Sequence, residues 1–166
     1  ISSITIDAHK MLQAPYGTGI FICRKGLIEN VLTKEAEYVE GMDLTLCGSR
    51  SGSNAVAVWM ILFTYGPFGW FEKVSILQMR TQFLCNELDK LNISYFREPF
   101  MNIVTIHAEK IPEKIASAFD LVPQQHNANN KWYKIVLMDH VEVEHLTTFI
   151  AQLKATLYAE ESFTTP

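Results

Sequence analysis

A histidine and a lysine, His9 and Lys10, stand side by side near the start of the chain, and a segment with two glycines, PYGTG, follows at residues 15–19. Lysine side chains rarely lie in protein interiors, so a solvated strand end is one explanation for Lys10. The other explanation is chemical, because an amine in a partly desolvated pocket loses its proton more easily and then forms a Schiff base with an aldehyde. The glycines allow the backbone to return close to whatever Lys10 contacts. These residue types predict covalent chemistry at Lys10, with a solvated strand end as the alternative.

A second candidate segment, GSRSG at residues 48–52, comes directly before an apolar run that predicts a helix from residue 53. The backbone N–H groups and hydroxyls of such a loop, at the positive end of a helix, form an anion site. The segment lacks the Gly-Lys-Ser/Thr ending of a nucleotide P-loop. It therefore predicts the binding of an anion, and a helix N-cap role for Ser51, Ser53 or Asn54 is the alternative.

The elements that position these residues follow from the spacing of apolar side chains. The segment before His9 alternates apolar and polar residues, which predicts a strand with one face of each kind. Its apolar residues are Ile4, Ile6 and Ala8, and its polar residues are Ser3, Thr5 and Asp7. The polar face thus brings hydroxyls and a carboxylate to the region of His9 and Lys10. Further along, the pattern predicts a loop at 13–19, a buried strand at 20–23, a short helix or turn at 26–33, an irregular polar stretch at 34–52 and a buried helix at 53–65.

The sequence GPFG at residues 66–69 interrupts the apolar run and is our candidate domain boundary. After it, residues 71–91 predict a long amphipathic helix, and its apolar stripe comprises Val74, Leu77, Leu84, Leu88 and Leu91. The remaining pattern predicts a strand at 101–107, a helix at 111–119, a strand at 132–141 and a helix at 143–157. This order is typical of a small α/β domain. We therefore expect two domains, residues 1–66 and 67–166.

Composition and charge exclude several classes of function. The chain has 166 residues, of which 48% are hydrophobic and 19% charged, as in globular proteins. Its net charge of −4 provides no broad basic surface for nucleic acid or membranes, and no apolar run reaches the length of a membrane span. The three cysteines (Cys23, Cys47 and Cys85) are scattered, and neither they nor the histidines have a metal-ligand spacing. We expect reduced thiols in a cytoplasmic protein, without a bound metal.

The segments SITIDAHK, PYGTG and CGSRSG together resemble the cofactor-lysine region of the pyridoxal-phosphate-dependent group II amino-acid decarboxylases. This family includes the glutamate, tyrosine, aromatic amino-acid and histidine enzymes. MNIV at residues 101–104 resembles the first strand of the family's C-terminal domain, so the resemblance covers essentially the whole chain. It implies an α/β chain that forms the C-terminal part of a fold-type I enzyme. Residues 1–66 would then be the end of the large cofactor-binding domain, and residues 67–166 a small α/β C-terminal domain.

The resemblance also implies roles for the residues around the lysine. Lys10 matches the lysine that forms a Schiff base with the cofactor, pyridoxal 5′-phosphate. His9 matches a histidine beside the cofactor phosphate, and a hydrogen-bonded structural histidine is the alternative. Ser3 and Asp7 match polar groups near the phosphate or the lysine. Because a carboxylate would repel a phosphate, we expect Asp7 to have a positioning role, paired with His9 or Lys10.

Residues further along have implied roles as well. In the family, the loop that GSRSG matches reaches across a dimer interface towards the partner's phosphate, which implies a homodimer. Ser49 is then the first expected phosphate contact and Ser51 the second, with Arg50 as a structural residue of the same interface. Family members carry a tyrosine in a mobile loop before this segment, and it protonates the intermediate after carbon dioxide leaves. Tyr38 matches that tyrosine, and a surface tyrosine is the alternative.

The expected function is therefore the pyridoxal-phosphate-dependent decarboxylation of an L-amino acid. In the family, a histidine that stacks on the cofactor ring and an aspartate that pairs with the ring nitrogen lie upstream of the lysine. This chain opens inside a predicted strand and without a methionine, so we expect a fragment that lacks both residues and is inactive alone. The substrate is left open, because the family builds its side-chain pocket largely from upstream residues and the partner subunit.

Three alternative functions stay open. A cysteine desulfurase and an aminotransferase have the same fold type. A desulfurase needs a reactive cysteine in a C-terminal loop, whereas Cys85 falls within a predicted helix and no cysteine follows it. MNIV also argues against a desulfurase. The third alternative is a non-catalytic module that dimerises.

Overall fold

The computed structural model of the chain describes residues 1–31, 50–125 and 130–164. The chain divides into two compact units, Ile1–Gly69 and Trp70–Pro166. Helices and antiparallel sheets alternate along the chain, which confirms the α/β class expected from the sequence.

The first unit opens with a β-hairpin. Strands β1 (Ser3–Ile6) and β2 (Ile20–Cys23) pair antiparallel, as the alternating pattern and the intervening glycines predict. The prediction that β2 is buried is wrong, since Phe21 and Ile22 are about half exposed. A two-stranded sheet cannot cover both of its own faces. A short 3-10 helix, Ile28–Val31, follows within the range predicted as a short helix or turn.

Helix α1 runs from Gly52 to Lys90 but bends at Gly66, whose φ of 57° and ψ of −177° are not helical. Only glycine adopts this conformation without strain. Pro67 follows directly, at the first position of the resumed helix, where its missing N–H breaks no hydrogen bond. The break predicted at residues 66–69 is confirmed as a kink at Gly66 that separates two helical stretches.

The part of α1 before the bend is largely exposed within the described residues. Apolar side chains with 40–75% exposure lie all along it, namely Val56, Trp59, Met60, Leu62, Phe63 and Tyr65. The prediction of a buried helix at 53–65 is therefore wrong for the part of the chain that the structure describes. An apolar helix surface shows that a cover is needed, but the pattern does not say which segment provides it.

The second unit contains a four-stranded antiparallel sheet with the strand order β3-β4-β6-β5. Its strands are β3 (Tyr95–Phe96), β4 (Ile103–His107), β5 (Val122–Pro123) and β6 (Trp132–Val136). Its helices are the end of α1, α2 (Glu113–Ala118) and α3 (Val143–Thr164). The predicted helices at 111–119 and 143–157 are confirmed, although α3 continues beyond its predicted end.

Strand β6 ends at Val136, so the strand predicted at 132–141 is too long. Arg80 of α1 donates hydrogen bonds to the carbonyl oxygens of Asp139 and Val141, at 2.9 and 3.1 Å. The backbone N–H of Val141 donates to the carbonyl of Met138 at 2.9 Å, which is a turn and not a strand ladder. The segment after β6 is therefore a loop that Arg80 holds to α1 through its two hydrogen bonds.

The core of the second unit lies between α1, α3 and one face of the sheet. Its fully buried side chains include Leu84, Leu88, Val104, Ile106, Leu137 and Leu153. The apolar stripe predicted on α1 is confirmed at Leu77, Leu84 and Leu88 but wrong at Val74, which is exposed. As far as the described residues go, none of the helices has an apolar stretch long enough to cross a membrane.

Candidate functional site

Lys10 lies in a tight turn that follows β1. Its backbone N–H donates to the carbonyl of Asp7, and its own carbonyl accepts from Gln13 N–H, each at 3.0 Å. A third backbone bond, from Ala14 N–H to the carbonyl of Ala8 at 3.0 Å, closes the loop around it. These bonds fix the backbone of Lys10 in the turn that follows β1.

The amine of Lys10 forms an ion pair with Asp7. Lys10 Nζ lies 2.9 Å from Asp7 Oδ2, and the two side chains are 66% and 47% exposed. The sequence offered His9 or Lys10 as partners of Asp7, and the structure has Lys10. The described residues leave this amine in solvent, so they do not form the desolvated pocket that the chemical explanation for Lys10 invokes.

The charge of Lys10 acts on Asp7. The hydrogen bond and the positive charge of Lys10 lower the pKa of the Asp7 carboxyl below its usual value, and His9 adds a smaller effect of the same sign. Asp7 is therefore ionised at neutral pH, and the carboxylate holds the lysine amine beside the end of β1.

His9 is held by the glycine-containing turn. Its Nδ1 lies 3.2 Å from the carbonyl oxygen of Thr18, and its ring centroid lies 5.0 Å from that of Tyr16. Thr18 is only 7% exposed, and its hydroxyl donates to the carbonyl of Pro15 at 2.7 Å. Gly17, with φ of 81°, supplies the left-handed residue that this turn requires. Sequence reasoning missed Thr18, and its only signal was its place between two glycines.

The structure does not bring every predicted site residue to Lys10. Ser3 is exposed and pairs with Cys23 at the far end of β1, about 13 Å from Asp7 at the rise of an extended strand. Ser3 is therefore not part of the Asp7–His9–Lys10 cluster.

Ser51 directly precedes the first residue of α1 and so occupies the N-cap position. Its hydroxyl lies 2.6 Å from that of Ser53, and both side chains are exposed. Arg50 is exposed as well. Tyr38 and Ser49 lie outside the described residues, so the structure gives no geometry for either prediction.

Lys10 and His9 carry an amine and an imidazole, the types of group that could hold an aldehyde and a phosphate. Ser51 and Ser53 carry hydroxyls at the N-terminus of α1, in a different part of the chain. The described residues contain no group of three or more metal-ligating side chains. The amine, the imidazole and the hydroxyls are residue types that suit carbonyl and phosphate chemistry.

Relatives of known function match nearly the whole chain, although no protein-family profile matches it. Over 154 residues, or 93% of the chain, it is 56% identical to the tryptophan decarboxylase of Clostridium sporogenes. It is 33% identical over 158 residues to the L-aspartate decarboxylase of Thermococcus kodakarensis. The chain spans 37% and 41% of the lengths of these two relatives.

Solved structures of similar fold cover the chain to the same extent. The L-methionine decarboxylase of Streptomyces sp. 590 superposes on 92% of it with a TM-score of 0.66 and 20% identity. The glutamate decarboxylase of Lactobacillus brevis superposes on 95% with a TM-score of 0.70 and 16% identity. The chain spans 31% and 40% of these two proteins. The family resemblance and the fold type read from the sequence are thereby confirmed: the chain is similar to the C-terminal part of pyridoxal-phosphate-dependent group II decarboxylase-like proteins of fold type I.

Proposed function

We propose that this chain is the C-terminal part of a pyridoxal-phosphate-dependent enzyme that decarboxylates an L-amino acid, and that Lys10 holds the cofactor. The observation that carries the proposal is the exposed amine of Lys10, fixed by its pairing with Asp7 at the end of the β1–β2 hairpin. Because the chain spans only 37–42% of its curated relatives, the activity belongs to a longer protein that also supplies the upstream residues.

When bound, pyridoxal phosphate supplies an aldehyde for the lysine and a conjugated ring that withdraws electrons from the substrate. To hold the cofactor through its aldehyde, the Lys10 amine would have to be neutral and released from its pairing with Asp7. Asp7 stays ionised, since Lys10 lowers its pKa, and it keeps the amine at the end of the hairpin until then. The role of Asp7 is therefore to position Lys10.

His9 and the GSRSG segment hold the phosphate group in this proposal. His9 lies next to Lys10 in the chain, and Ser51 presents a hydroxyl at the positive end of α1. Ser49 adds a second hydroxyl from the same segment. Ser3, at the far end of β1, contacts the phosphate only if the rest of the enzyme brings the phosphate to it.

Tyr38 is the proposed general acid. After the carboxyl group leaves the substrate as carbon dioxide, the hydroxyl of Tyr38 donates a proton to the substrate Cα, which gives the amine product. A general acid of this kind contributes roughly a hundred- to ten-thousand-fold in rate. Tyr38→Phe should therefore slow decarboxylation by a factor in this range.

The domain organisation and assembly are part of the same proposal. Residues 1–66 form the end of the large cofactor-binding domain and residues 67–166 the small domain, and the division of the chain at Gly69 supports this assignment. The exposed apolar side chains of α1 before its bend support a homodimer in which they are covered. A cytoplasmic location is proposed from the free thiols of Cys23 and Cys85.

Tryptophan is the proposed substrate. The relative with 56% identity is a tryptophan decarboxylase, whereas the aspartate and the tyrosine/aspartate decarboxylases are 29–33% identical. Aspartate is therefore the second candidate. Cys85 is buried inside α1, which disfavours a desulfurase because that reaction needs a cysteine at the substrate.

The test is release of carbon dioxide from carboxyl-labelled tryptophan, aspartate, tyrosine and glutamate by the full-length protein with pyridoxal phosphate. We expect the highest kcat/KM with tryptophan and background release with Lys10→Ala. Lys90→Ala is the matched control, because Lys90 also pairs with a carboxylate three residues before it, Glu87, and lies in the second unit.

The outcomes separate the alternatives. A higher kcat/KM with aspartate would overturn the substrate assignment and leave the reaction intact. Transamination without carbon dioxide, or release of sulfide from cysteine, would overturn the decarboxylase itself. Full activity of Lys10→Ala would exclude Lys10 from the chemistry. The 166-residue chain alone is expected to give no release above background.

A further inference from the structure

One of the two ring nitrogens of His9 already makes a hydrogen bond within the protein. Nδ1 lies 3.2 Å from the backbone carbonyl oxygen of Thr18. A carbonyl oxygen only accepts hydrogen bonds, so the proton of this bond must be on Nδ1. The hydrogen bond at one ring nitrogen decides which tautomer is present, and a neutral His9 is therefore the Nδ1–H form with a bare Nε2.

The carbonyl of Thr18 is itself held in place. The Thr18 side chain is nearly buried, and its hydroxyl bonds back to the carbonyl of Pro15 at 2.7 Å across the turn. Gly17, between them, has a left-handed backbone, and the Tyr16 ring lies against the imidazole at a centroid distance of 5.0 Å. The turn therefore holds the hydrogen-bond acceptor of His9 Nδ1 in place.

We propose that Thr18 is a positioning residue that holds His9 in the Nδ1–H tautomer, so that Nε2 is the atom that meets the cofactor phosphate; this rests on the proposed function. An Nε2 that carries no proton cannot donate to a phosphate oxygen. The contact forms when one proton lies between Nε2 and the phosphate, supplied by the phosphate monoanion or by the doubly protonated ring. The charged neighbours of His9 in its own loop are Asp7 and Lys10, which already pair with each other.

His145 provides an internal control, because its hydrogen bond fixes the opposite tautomer. Its Nδ1 accepts the backbone N–H of Glu142 at 3.2 Å, so a neutral His145 must carry its proton on Nε2. The same protein thus contains one histidine fixed in each tautomer, and one spectrum reports both.

The first measurement is the long-range ¹H–¹⁵N NMR spectrum of the ¹⁵N-labelled 166-residue chain without cofactor, at about pH 8, where histidine is ordinarily neutral. We expect His9 as the Nδ1–H form and His145 as the Nε2–H form. Thr18→Val removes the hydroxyl but keeps the branched shape, and it should shift the His9 tautomer ratio towards Nε2–H by about two- to tenfold, the effect of one weakened hydrogen bond.

Controls separate this effect from a general loss of structure. Thr18→Ser keeps the hydroxyl and should restore the wild-type ratio. Thr156→Val removes a hydroxyl that donates to a carbonyl in α3, at 2.9 Å, and should leave His9 unchanged. His145 should be unchanged in all three variants. An Nε2–H form of His9 in the wild type, or an unaltered ratio in Thr18→Val, would overturn the proposal.

The second measurement tests the link to the phosphate in the full-length protein. The affinity for pyridoxal phosphate relative to pyridoxal, which lacks the phosphate, should fall about two- to tenfold in Thr18→Val and recover in Thr18→Ser. An unchanged ratio of affinities would overturn the phosphate contact. If borohydride traps pyridoxal on Lys10 neither in the wild type nor in Thr18→Val, the proposed function fails. The tautomer of His9 is measured without cofactor and does not depend on that outcome.

Discussion

Replacing Leu88 by alanine removes a side chain from the centre of the second unit's core. Leu88 lies on α1, is 0% exposed and packs in the same cluster as Leu84, Val104 and Leu153. Replacement of a buried leucine by alanine costs about 2–5 kcal/mol, because the lost transfer energy and the cavity left behind add up. A unit of roughly 100 residues is stable by about 5–15 kcal/mol. The variant should therefore lose a large part of the unit's free energy of unfolding.

Amide hydrogen exchange of β4 and β6 measures this loss, because the slowest amides of a core sheet report global opening. Met79→Ala is the matched control on the same helix. Met79 is 71% exposed, and a surface truncation of this kind changes stability by no more than about 0.5 kcal/mol. Equal effects of the two substitutions, or a loss below about 1 kcal/mol in Leu88→Ala, would refute the packing of α1 in this core.

Burial raises the pKa of Tyr95 to about 12, so its contribution to stability is complete below about pH 10 and is lost as the pH rises through about 12. Tyrosine absorbance should show a late titration that Tyr95→Phe abolishes, and its persistence would contradict the assignment. The lowered pKa of Asp7 means that the stabilisation from its ion pair is present above the ordinary aspartate range and is lost as the pH falls through the lowered value. The ¹³C shift of its carboxyl should give a midpoint below 3.8 that moves up in Lys10→Ala, and an equal midpoint would argue against the pair. Gly66→Ala should cost about 1–3 kcal/mol in urea unfolding, because alanine is strained at this backbone conformation, whereas Gly52→Ala meets no atom within 4 Å and should be nearly neutral.

The parts of the fold that the sequence predicts well are those with local signals. β1 and β2 follow from alternation and from the glycines between them, and α3 follows from apolar spacing over several turns. The two-residue strands β3 and β5 were not predicted, because they are too short for a period and form by pairing with distant strands. Burial of residues 53–65 was predicted wrongly, since it depends on a cover that the pattern does not identify.

The same distinction between local sequence signals and contacts with other segments applies to the candidate site. The neighbouring His9 and the glycines at 17 and 19 single out Lys10 among the lysines of the chain. The sequence left His9 and Lys10 open as partners of Asp7, and the structure shows Lys10. The bond between His9 and Thr18 uses a backbone carbonyl, which every residue has, so the identity of Thr18 gave no signal. Tyr38 and Ser49 lie outside the described residues and stay predictions from the resemblance.

The most direct test of Lys10 as the cofactor-bearing residue is borohydride reduction of the full-length protein with pyridoxal phosphate, followed by peptide mass mapping. The predicted result is one phosphopyridoxyl group on the peptide that contains Lys10, present in Lys90→Ala and absent in Lys10→Ala. A phosphopyridoxyl group on any other lysine of the wild-type protein, or on none, would contradict the assignment.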